Sequence, residues 1–435
     1  MKASAILVTL ALSAAAAPEG EAARKAAAEA MVAALAKGDF AAAGKDFDDA
    51  MKKALPEDKL KETWAAVQKQ VGPFKKQLAV RAEAGKKYQF VHVTCRFEKM
   101  DLDARVVFDG ARVTGLQFKP AQAAHNFKPP PYARPESFRE VPVVVGEGGD
   151  WPLPGTLTLP KGNGPFPAVV LLHGSGPQDR DETIGPNKPL RDLAWGLASQ
   201  GVAVLRYEKR TREHGRRWKP SMTFREETVD DALIAAALLR KRPEIDGKRV
   251  FVLGHSLGAL AAPEVGRRDP ALAGLVVLAG NTRPLEDLVL EQITYVRSLH
   301  PSNDDKEEIE KLQKQVARVK DRKLTPASPP SELPLGAPAA YWLALRAYDP
   351  AATAARLKIP MLVLQGERDY QVTMADFAGW QKALAGRKDV RLKSYPKLNH
   401  LFMEGEGKAK PAEYDKAGHV SRQVVDDVAA WVKAH

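Results

Sequence analysis

Short apolar runs alternate with helical stretches through the second part of the chain, and this alternation constrains the fold more than any other feature. The runs lie at residues 167–172, 202–206, 250–253, 274–279, 360–365 and 390–395. Helical patterns separate most of them, as at 190–199 and 229–240. Apolar strands separated by helices predict an α/β domain with a mostly parallel sheet and helices on both faces. Residues that act on ligands gather at the carboxyl ends of such strands.

Two further strands precede this alternation. Residues 138–145 and 155–159 are predicted to form a leading β-hairpin, so the α/β domain is predicted to span 138–435. A Pro-rich stretch at 123–137 is predicted to be an extended linker ahead of it.

The sequence between 18 and 122 predicts a small α+β domain. Apolar residues recur at helical spacing over 21–72. Period-two patterns then predict strands from Tyr88, at 102–108 and at 112–118, with a hairpin turn at Asp109-Gly110. We assign no chemistry to this domain, because a strand residue such as His92 or Cys95 without evident partners is more often structural.

Residues 1–17 have the pattern of a secretory signal peptide. A short positive start is followed by an uncharged apolar run at 5–16, and small residues precede Pro18. The alternative is an Ala-rich first helix of the domain. Cleavage after Ala16 or Ala17 predicts a periplasmic or secreted protein that has no integral membrane span once the signal is removed.

Composition excludes several classes of protein. Charged residues make up 28% and hydrophobic residues 44%, as in an ordinary globular protein. The one cysteine, Cys95, excludes an intrachain disulfide and a cysteine-based metal cluster. The net charge of +12 predicts a basic surface, but no nucleic-acid-reading motif accompanies it, so nucleic acid is not a predicted partner. The sequence has no H-E-x-x-H, G-x-G-x-x-G or P-loop pattern, which favours a protein without a metal or nucleotide cofactor.

A G-x-S-x-G pattern, GHSLG at 254–258, stands between the apolar run at 250–253 and a helical stretch. This context predicts a nucleophile elbow, in which the serine occupies a strained turn that side chains at both glycine positions would obstruct. The turn puts Ser256 at a helix N-terminus, whose positive end favours a developing oxyanion. Ser256 is therefore the candidate nucleophile.

A glycine-rich loop, HGSG at 173–176, follows the first apolar run. Acyl transfer needs two backbone amides directed at the tetrahedral oxygen. In nucleophile-elbow enzymes one amide belongs to the residue after the serine, here Leu257, and the other to this early loop, where Ser175 is the candidate. The alternative is a turn without a function.

An acid and a base are then expected in the chain order Ser, Asp, His. Asp369 follows the next-to-last apolar run and is the candidate acid, with Glu367 and Asp376 as alternatives. His400 is the candidate base, because it lies downstream of a plausible acid and just past the last strand. His255 occupies the variable position of the elbow and is interpreted as a packing residue.

These features together resemble the EstD-like bacterial esterases of the α/β-hydrolase superfamily. The resemblance rests on the segments HGSGPQDRDETIGPNKPLRDLAWGLASQGVAVLRYEKRT, GHSLG, LQGERDYQV and LNHLF, and it covers roughly 140–435 and, more loosely, the front domain. It implies the α/β-hydrolase fold, a small-molecule ester substrate, carboxylic ester hydrolase activity and no cofactor. It also implies that Ser256 is the nucleophile and that Asp369 and His400 are its partners.

Two other segments are expected to influence specificity. Residues 282–358 are too long for a simple crossover and predict a helical cap over the active site, with a charged helix near 304–323; the alternative is a surface insertion. Residues 206–219 carry seven Lys or Arg against two Glu. They would attract acidic substrates if their charges were free, but a solvated loop or pairing with Asp179 and Asp181 is the favoured interpretation.

Three activities remain open at this point. The same fold and triad also act on peptides and thioesters, so a serine peptidase or a thioesterase is the nearest alternative to an esterase. A non-catalytic binding protein is less favoured, because all three triad residues stand in the expected order. No feature of the sequence predicts an oligomeric state.

Overall fold

The computed structural model describes residues 20–85, 88–98, 100–120, 127–299, 301–302 and 305–435. The predicted signal peptide, 1–17, lies outside these residues, as does the start of the predicted linker, 123–126. The chain divides into two compact units, Met1–Asn126 and Phe127–His435.

The first unit combines helices with an antiparallel sheet. Its described helices are α1 (Glu21–Lys37), α2 (Phe40–Ala43), α3 (Asp49–Ala54) and α4 (Glu57–Val71). Its strands, in the sheet order β1-β2-β3-β4, are β1 (Phe74–Ala84), β2 (Gln89–Phe97), β3 (Asp101–Asp109) and β4 (Arg112–Pro120). Apolar side chains of the helices, such as Leu35 and Trp64, share one buried core with Val91, Val93 and Cys95 of β2. Burial raises the pKa of the Cys95 thiol to about 12, consistent with a structural role.

The second unit contains a sheet of eight strands among the described residues. They are β5 (Phe138–Val145), β6 (Leu153–Pro160), β7 (Phe166–Leu172), β8 (Ala203–Tyr207), β9 (Ile245–His255), β10 (Gly274–Leu278), β11 (Met361–Gly366) and β12 (Val390–Tyr395). Their order is β12-β11-β10-β9-β7-β8-β6-β5. The pairs β5–β6 and β6–β8 are antiparallel, and the pairs from β8 to β12 are parallel. The prediction of a mostly parallel sheet is confirmed.

Helices cover both faces of this sheet. They are α5 (Pro189–Ala198), α6 (Arg210–Glu213), α7 (Asp230–Arg240), α8 (Leu257–Arg268), α9 (Leu285–Leu299), α10 (Asp305–Lys320), α11 (Ala339–Arg346), α12 (Pro350–Ala355), α13 (Met374–Ala383) and α14 (Arg422–Ala434). A π-helical turn, Arg225–Val229, leads into α7. Short 3₁₀ helices lie at Pro135–Ser137, Gly215–Arg217, Pro330–Glu332, Pro334–Gly336 and Pro411–Asp415.

Alternate residues of one strand pack into two different cores, which explains why the strands are apolar throughout. In β7, Val170 and Leu172 face a core shared with α7 and α8. Val169 and Leu171 face the opposite core, shared with α5 and α14. This two-sided burial is typical of parallel sheets.

The predicted helical insertion, 282–358, holds α9 to α12, between β10 and β11. The charged helix predicted there is α10, whose apolar residues pack with Trp342 of α11. At the start of the insertion, the fully buried carboxylate of Asp376 accepts the amides of Thr282 and Arg283 at 2.9 and 3.0 Å and an Arg283 guanidinium N–H at 2.7 Å. Within the described part of the chain, every helix is too short or too polar to cross a membrane.

Candidate active site

Ser256 lies at a sharp turn between β9 and α8. Its φ of 53° and ψ of −114° place a non-glycine residue in the left-handed region, which is strained. Two backbone hydrogen bonds stabilise this conformation: the Ser256 amide donates to the Leu278 carbonyl, and the Leu260 amide donates to the Ser256 carbonyl, both at 3.0 Å. The hydroxyl-bearing residue is therefore presented on a rigid turn at the carboxyl end of the sheet.

The two glycines of GHSLG are required by close backbone contacts. A Cβ at Gly254 would lie 2.1 Å from the carbonyl oxygen of Gly258. A Cβ at Gly258 would lie 2.5 Å from the carbonyl oxygen of Leu172, at the end of β7. The prediction that side chains would clash at both positions agrees with these distances.

His400 and Asp369 form a buried hydrogen-bonded pair. The Nδ1 atom of His400 lies 2.6 Å from Oδ2 of Asp369, and both side chains are buried. The other carboxylate oxygen of Asp369 accepts the amides of Gln371 and Val372 at 2.7 and 3.1 Å. The Nδ1 contact fixes the orientation of the imidazole ring, as an acid does for a general base.

The two alternative acids lie elsewhere. Glu367 is exposed and accepts the Ser394 hydroxyl at 2.8 Å. The carboxylate of Asp376 forms a salt bridge with Arg283, at the start of the insertion. Among these three carboxylates, it is Asp369 that the fold brings to His400.

A tight turn after β12 holds His400. The side-chain oxygen of Asn399 accepts the amides of Leu401 and Met403 at 3.0 and 3.1 Å, and Phe402 has a φ of 57°. A Cβ at Gly366, the last residue of β11, would lie 2.7 Å from the Asn399 carbonyl oxygen. The loop after β11 that carries Asp369 and the loop after β12 that carries His400 (the histidine loop) therefore approach each other closely. A side chain at position 366 would not fit between them.

The HGSG loop lies directly against the elbow. A Cβ at Gly174 would lie 3.3 Å from Cβ of Ser256. Ser175 is exposed, and its amide donates no hydrogen bond to any described residue. Leu257 is the first residue of α8, so its amide has no partner within the helix. The amide expected at Leu257 thus directly follows Ser256 in the chain, and the amide expected at Ser175 follows Gly174, whose backbone lies against Ser256.

Two buried side chains, Glu182 and Lys209, hold Gly174 from opposite sides. A carboxylate oxygen of Glu182 accepts the Gly174 amide at 2.6 Å. The ammonium group of Lys209 donates to the Gly174 carbonyl at 2.7 Å. Neither residue was predicted to contact the loop, because no motif or spacing rule connects them to it.

His255 is more than a packing residue. Its Nδ1 lies 3.0 Å from both carboxylate oxygens of Glu182, and its Nε2 lies 2.9 Å from the carbonyl oxygen of His400. Burial lowers the pKa of His255, but the charge and hydrogen bond of Glu182 outweigh burial, so this pKa is raised. Burial likewise raises the pKa of Glu182, and His255 outweighs it, so that pKa is lowered. The hydrogen-bonded pair of His255 and Glu182 therefore joins the elbow, the HGSG loop and the histidine loop.

The cations of the basic segment are divided between buried and exposed positions. Arg206 is buried and pairs with Asp181 and Glu140. The contact with Asp181 agrees with the interpretation that this segment pairs with nearby aspartates. Arg210 is buried against Asp231, whereas Arg216 and Arg217 are exposed. Most of the charge at the start of the segment is thus neutralised locally.

A metal centre is not indicated by the described residues, which contain no group of three or more His, Cys, Asp or Glu arranged to hold an ion. The site they present consists of a serine, a histidine–aspartate pair and free backbone amides.

Comparison with known proteins relates each unit to a protein family. Residues 167–407 match the family described as serine aminopeptidase, S33, and residues 28–113 match a family described as a protein of unknown function (DUF3887). Esterase EstD of Thermotoga maritima is 42% identical over 384 residues, which is 88% of this chain and 89% of that protein.

Solved structures with a similar fold include two esterases. Est1E from Butyrivibrio proteoclasticus has a TM-score of 0.43 at 14% identity, covering 68% of this chain and 99% of that one. An esterase from Pyrococcus furiosus has a TM-score of 0.44 at 15% identity, covering 72% of this chain and 98% of that one.

Proposed function

Because the chain belongs to the serine aminopeptidase S33 family of α/β-hydrolases and is a homologue of Esterase EstD, we propose that it hydrolyses carboxylic esters with a Ser256–His400–Asp369 triad. The observation that carries the proposal is the 2.6 Å contact between His400 Nδ1 and Asp369 Oδ2 in a chain 42% identical to an esterase. Residues of these types in this order perform acyl transfer through a covalent intermediate.

The proposed reaction begins when Ser256 attacks the ester carbonyl and His400 takes its proton. Asp369 holds the imidazole and stabilises the imidazolium that forms. The amides of Ser175 and Leu257 donate to the oxyanion of the tetrahedral intermediate. The alcohol leaves with the proton from His400, and an acyl-enzyme remains. Water activated by His400 then releases the carboxylic acid and restores Ser256. No cofactor takes part in this scheme.

Hydrolysis of p-nitrophenyl esters from acetate to long acyl chains tests the proposal. We expect wild-type protein to hydrolyse at least the short esters, and Ser256→Ala to lower kcat on the order of 10⁴-fold or more. The matched control is Ser137→Ala, since the Ser137 hydroxyl donates to the Arg134 carbonyl at 2.7 Å far along the chain from the elbow. Wild-type protein inactive on every ester, or Ser256→Ala as active as wild type, would overturn the proposal.

Peptidase activity is the second candidate, and the description of the matching family as a serine aminopeptidase favours testing it. Amino-acid p-nitroanilides and acyl thioesters belong in the same assay, because the triad does not select the leaving group. A kcat/KM for a p-nitroanilide above that for every ester would replace the esterase assignment with a peptidase.

Export is a further proposal, supported by the signal-peptide pattern of residues 1–17. N-terminal sequencing of protein recovered from the periplasm or medium is expected to begin at Ala17 or Pro18. An intact Met1 in the recovered protein would contradict export by signal cleavage.

A further inference from the structure

Lys209 is a buried ammonium group that the proposed reaction leaves without a role. It follows β8, it is 1% exposed, and its Nζ lies 2.7 Å from the Gly174 carbonyl oxygen and 2.6 Å from a carboxylate oxygen of Glu227. Burying an ammonium group is costly even when it is paired, and an apolar side chain of similar length would fill the same space. Its contact with Gly174 therefore calls for a functional explanation.

The Gly174 carbonyl belongs to the same peptide group as the Ser175 amide. In a trans peptide the C=O and N–H point in opposite directions, so a donor that fixes the carbonyl also fixes the amide. A charged donor on the oxygen further polarises the peptide group, which makes its N–H a stronger donor. Lys209 therefore acts on the amide that is proposed to bind the oxyanion.

The backbone amide of Gly174 is hydrogen-bonded as well. Its amide donates to Glu182 at 2.6 Å, and Glu182 is bonded in turn to His255 of the elbow. With both the amide and the carbonyl of Gly174 engaged, the peptide plane that carries the Ser175 amide cannot rotate without breaking a buried charge-assisted hydrogen bond.

Glu227 extends this network to the helical insertion. Its second carboxylate oxygen accepts the hydroxyl of Tyr341, in α11, at 2.6 Å. Burial, followed by the charge of Glu227, raises the pKa of Tyr341 well above its ordinary value, so the phenol stays protonated and donates. Tyr341, Glu227 and Lys209 thus form a continuous chain of hydrogen bonds that ends on the Gly174 carbonyl.

We propose that Lys209 is a positioning residue that orients and polarises the Ser175 amide for the oxyanion, and that Glu227 and Tyr341 couple this amide to the helical insertion. The inference rests on the proposed function, because it assigns Lys209 a part in the same acyl transfer. It predicts that the network acts on the tetrahedral intermediate and not on ground-state binding of the ester.

The double variant Lys209→Met/Glu227→Gln tests the inference without leaving an unpaired buried charge. We expect kcat for p-nitrophenyl acetate to fall about 10- to 100-fold while KM changes less than about threefold, a smaller loss than that of a direct oxyanion donor. The affinity for a trifluoromethyl ketone, which forms a tetrahedral oxyanion on the serine, should fall by the same factor as kcat/KM. Lys209→Gln/Glu227→Gln keeps an N–H donor near Gly174 and should recover part of the loss.

The neighbouring pair Arg210 and Asp231 supplies a matched control. It is also buried and ion-paired, but its hydrogen bonds do not involve Gly174. Arg210→Met/Asp231→Asn should leave kcat and ketone affinity unchanged in folded protein. Equal losses in both double variants would mean that any buried pair in this segment affects the site, which would overturn the specific role of Lys209.

If the Lys209→Met/Glu227→Gln variant does not fold, Tyr341→Phe tests whether the network affects the Ser175 amide. It removes one hydroxyl, and we expect a severalfold loss of kcat with a parallel loss of ketone affinity. Folded Lys209 or Tyr341 variants with unchanged kcat and ketone affinity would overturn the inference while the proposed function stands. Wild-type protein that hydrolyses no ester would overturn the proposed function, and the inference with it.

Discussion

Asp369 is the residue whose substitution most directly tests the proposed triad. An asparagine has the same shape, and its oxygen still accepts the amides of Gln371 and Val372 that now bond Oδ1. It lacks the charge that stabilises a His400 imidazolium. We therefore expect Asp369→Asn to lower kcat for p-nitrophenyl acetate on the order of 10⁴-fold, with little change in the thermal unfolding midpoint.

Glu367→Gln is the matched control for that variant. Glu367 is exposed and contacts Ser394. The kcat of the Glu367→Gln variant should therefore stay within about twofold of wild type, as for most surface changes. A large loss in Glu367→Gln together with an active Asp369→Asn would show that the acid has been assigned to the wrong carboxylate.

His173 makes the folding stability depend on pH. The ring is buried against Tyr207, and burial lowers the pKa of His173 from 6.5 to about 4. Below about pH 6.5 the His173 side chain binds a proton in the unfolded chain, whereas in the folded protein it binds one only below about pH 4. The contribution of His173 to stability is therefore complete above pH 6.5 and decreases as the pH falls, by about 3 kcal/mol at pH 4.

Urea unfolding of wild type and His173→Gln between pH 7.5 and 4 measures this effect. The free energy of unfolding should fall less steeply in His173→Gln than in wild type. Identical slopes for wild type and His173→Gln would contradict the assignment.

The candidate site could be predicted from the sequence only where a residue stands next to a strand end. Ser256, Asp369 and His400 each follow an apolar run, so the parallel topology alone brings them to one edge of the sheet. Glu182 and Lys209 reach Gly174 from 8 and 35 positions away along the chain, through contacts that depend on the folded loops. The interpretation of His255 as packing was incomplete for the same reason.

At the level of elements, the central strands β7, β8, β10 and β11 were predictable because nearly every residue in them is buried, on both faces of the sheet, and they are therefore almost wholly apolar. The strand β1 was not predicted. Its sequence, FKKQLAVRAEA, alternates apolar and charged residues only over 80–84, and it pairs with β2 alone at the edge of its sheet. Its pairing with β2 shifts register between Phe74 and Lys76 and between Gln77 and Ala79, so no continuous period-two pattern runs through the strand.

The close packing of α5 on α14 predicts the effect of a substitution at Gly196. Replacing a glycine inside a helix by alanine normally stabilises the helix by about 1 kcal/mol. A Cβ at Gly196 of α5, however, would lie 2.6 Å from Val425 of α14 and 2.8 Å from Tyr132. We expect Gly196→Ala to destabilise the protein by about 1–3 kcal/mol, measured by thermal or urea unfolding.

Gly247→Ala in β9 is the control, because the nearest atom to its added Cβ would be 3.5 Å away. Its effect should stay within about 0.5 kcal/mol, as is usual where no close contact is disturbed. If Gly196→Ala raised the unfolding midpoint, helix propensity would outweigh the close approach of α14, and the packing argument would be wrong.

For the whole molecule, each unit contains its own hydrophobic core, and every residue of the candidate site lies in Phe127–His435. The match to the serine aminopeptidase family, 167–407, also lies within that unit. A unit with its own core is expected to fold independently. The catalytic chemistry proposed for the chain should therefore not require the first unit.

Residues 127–435 expressed alone test this expectation. We expect a single cooperative unfolding transition and hydrolysis of p-nitrophenyl acetate with kcat within about threefold of the full chain, abolished by Ser256→Ala. A folded 127–435 protein with a much lower kcat would assign the first unit a part in catalysis. Unchanged kcat with a raised KM for long acyl esters would instead indicate that the first unit helps to bind the substrate, because loss of uniform binding raises KM and leaves the chemical step intact.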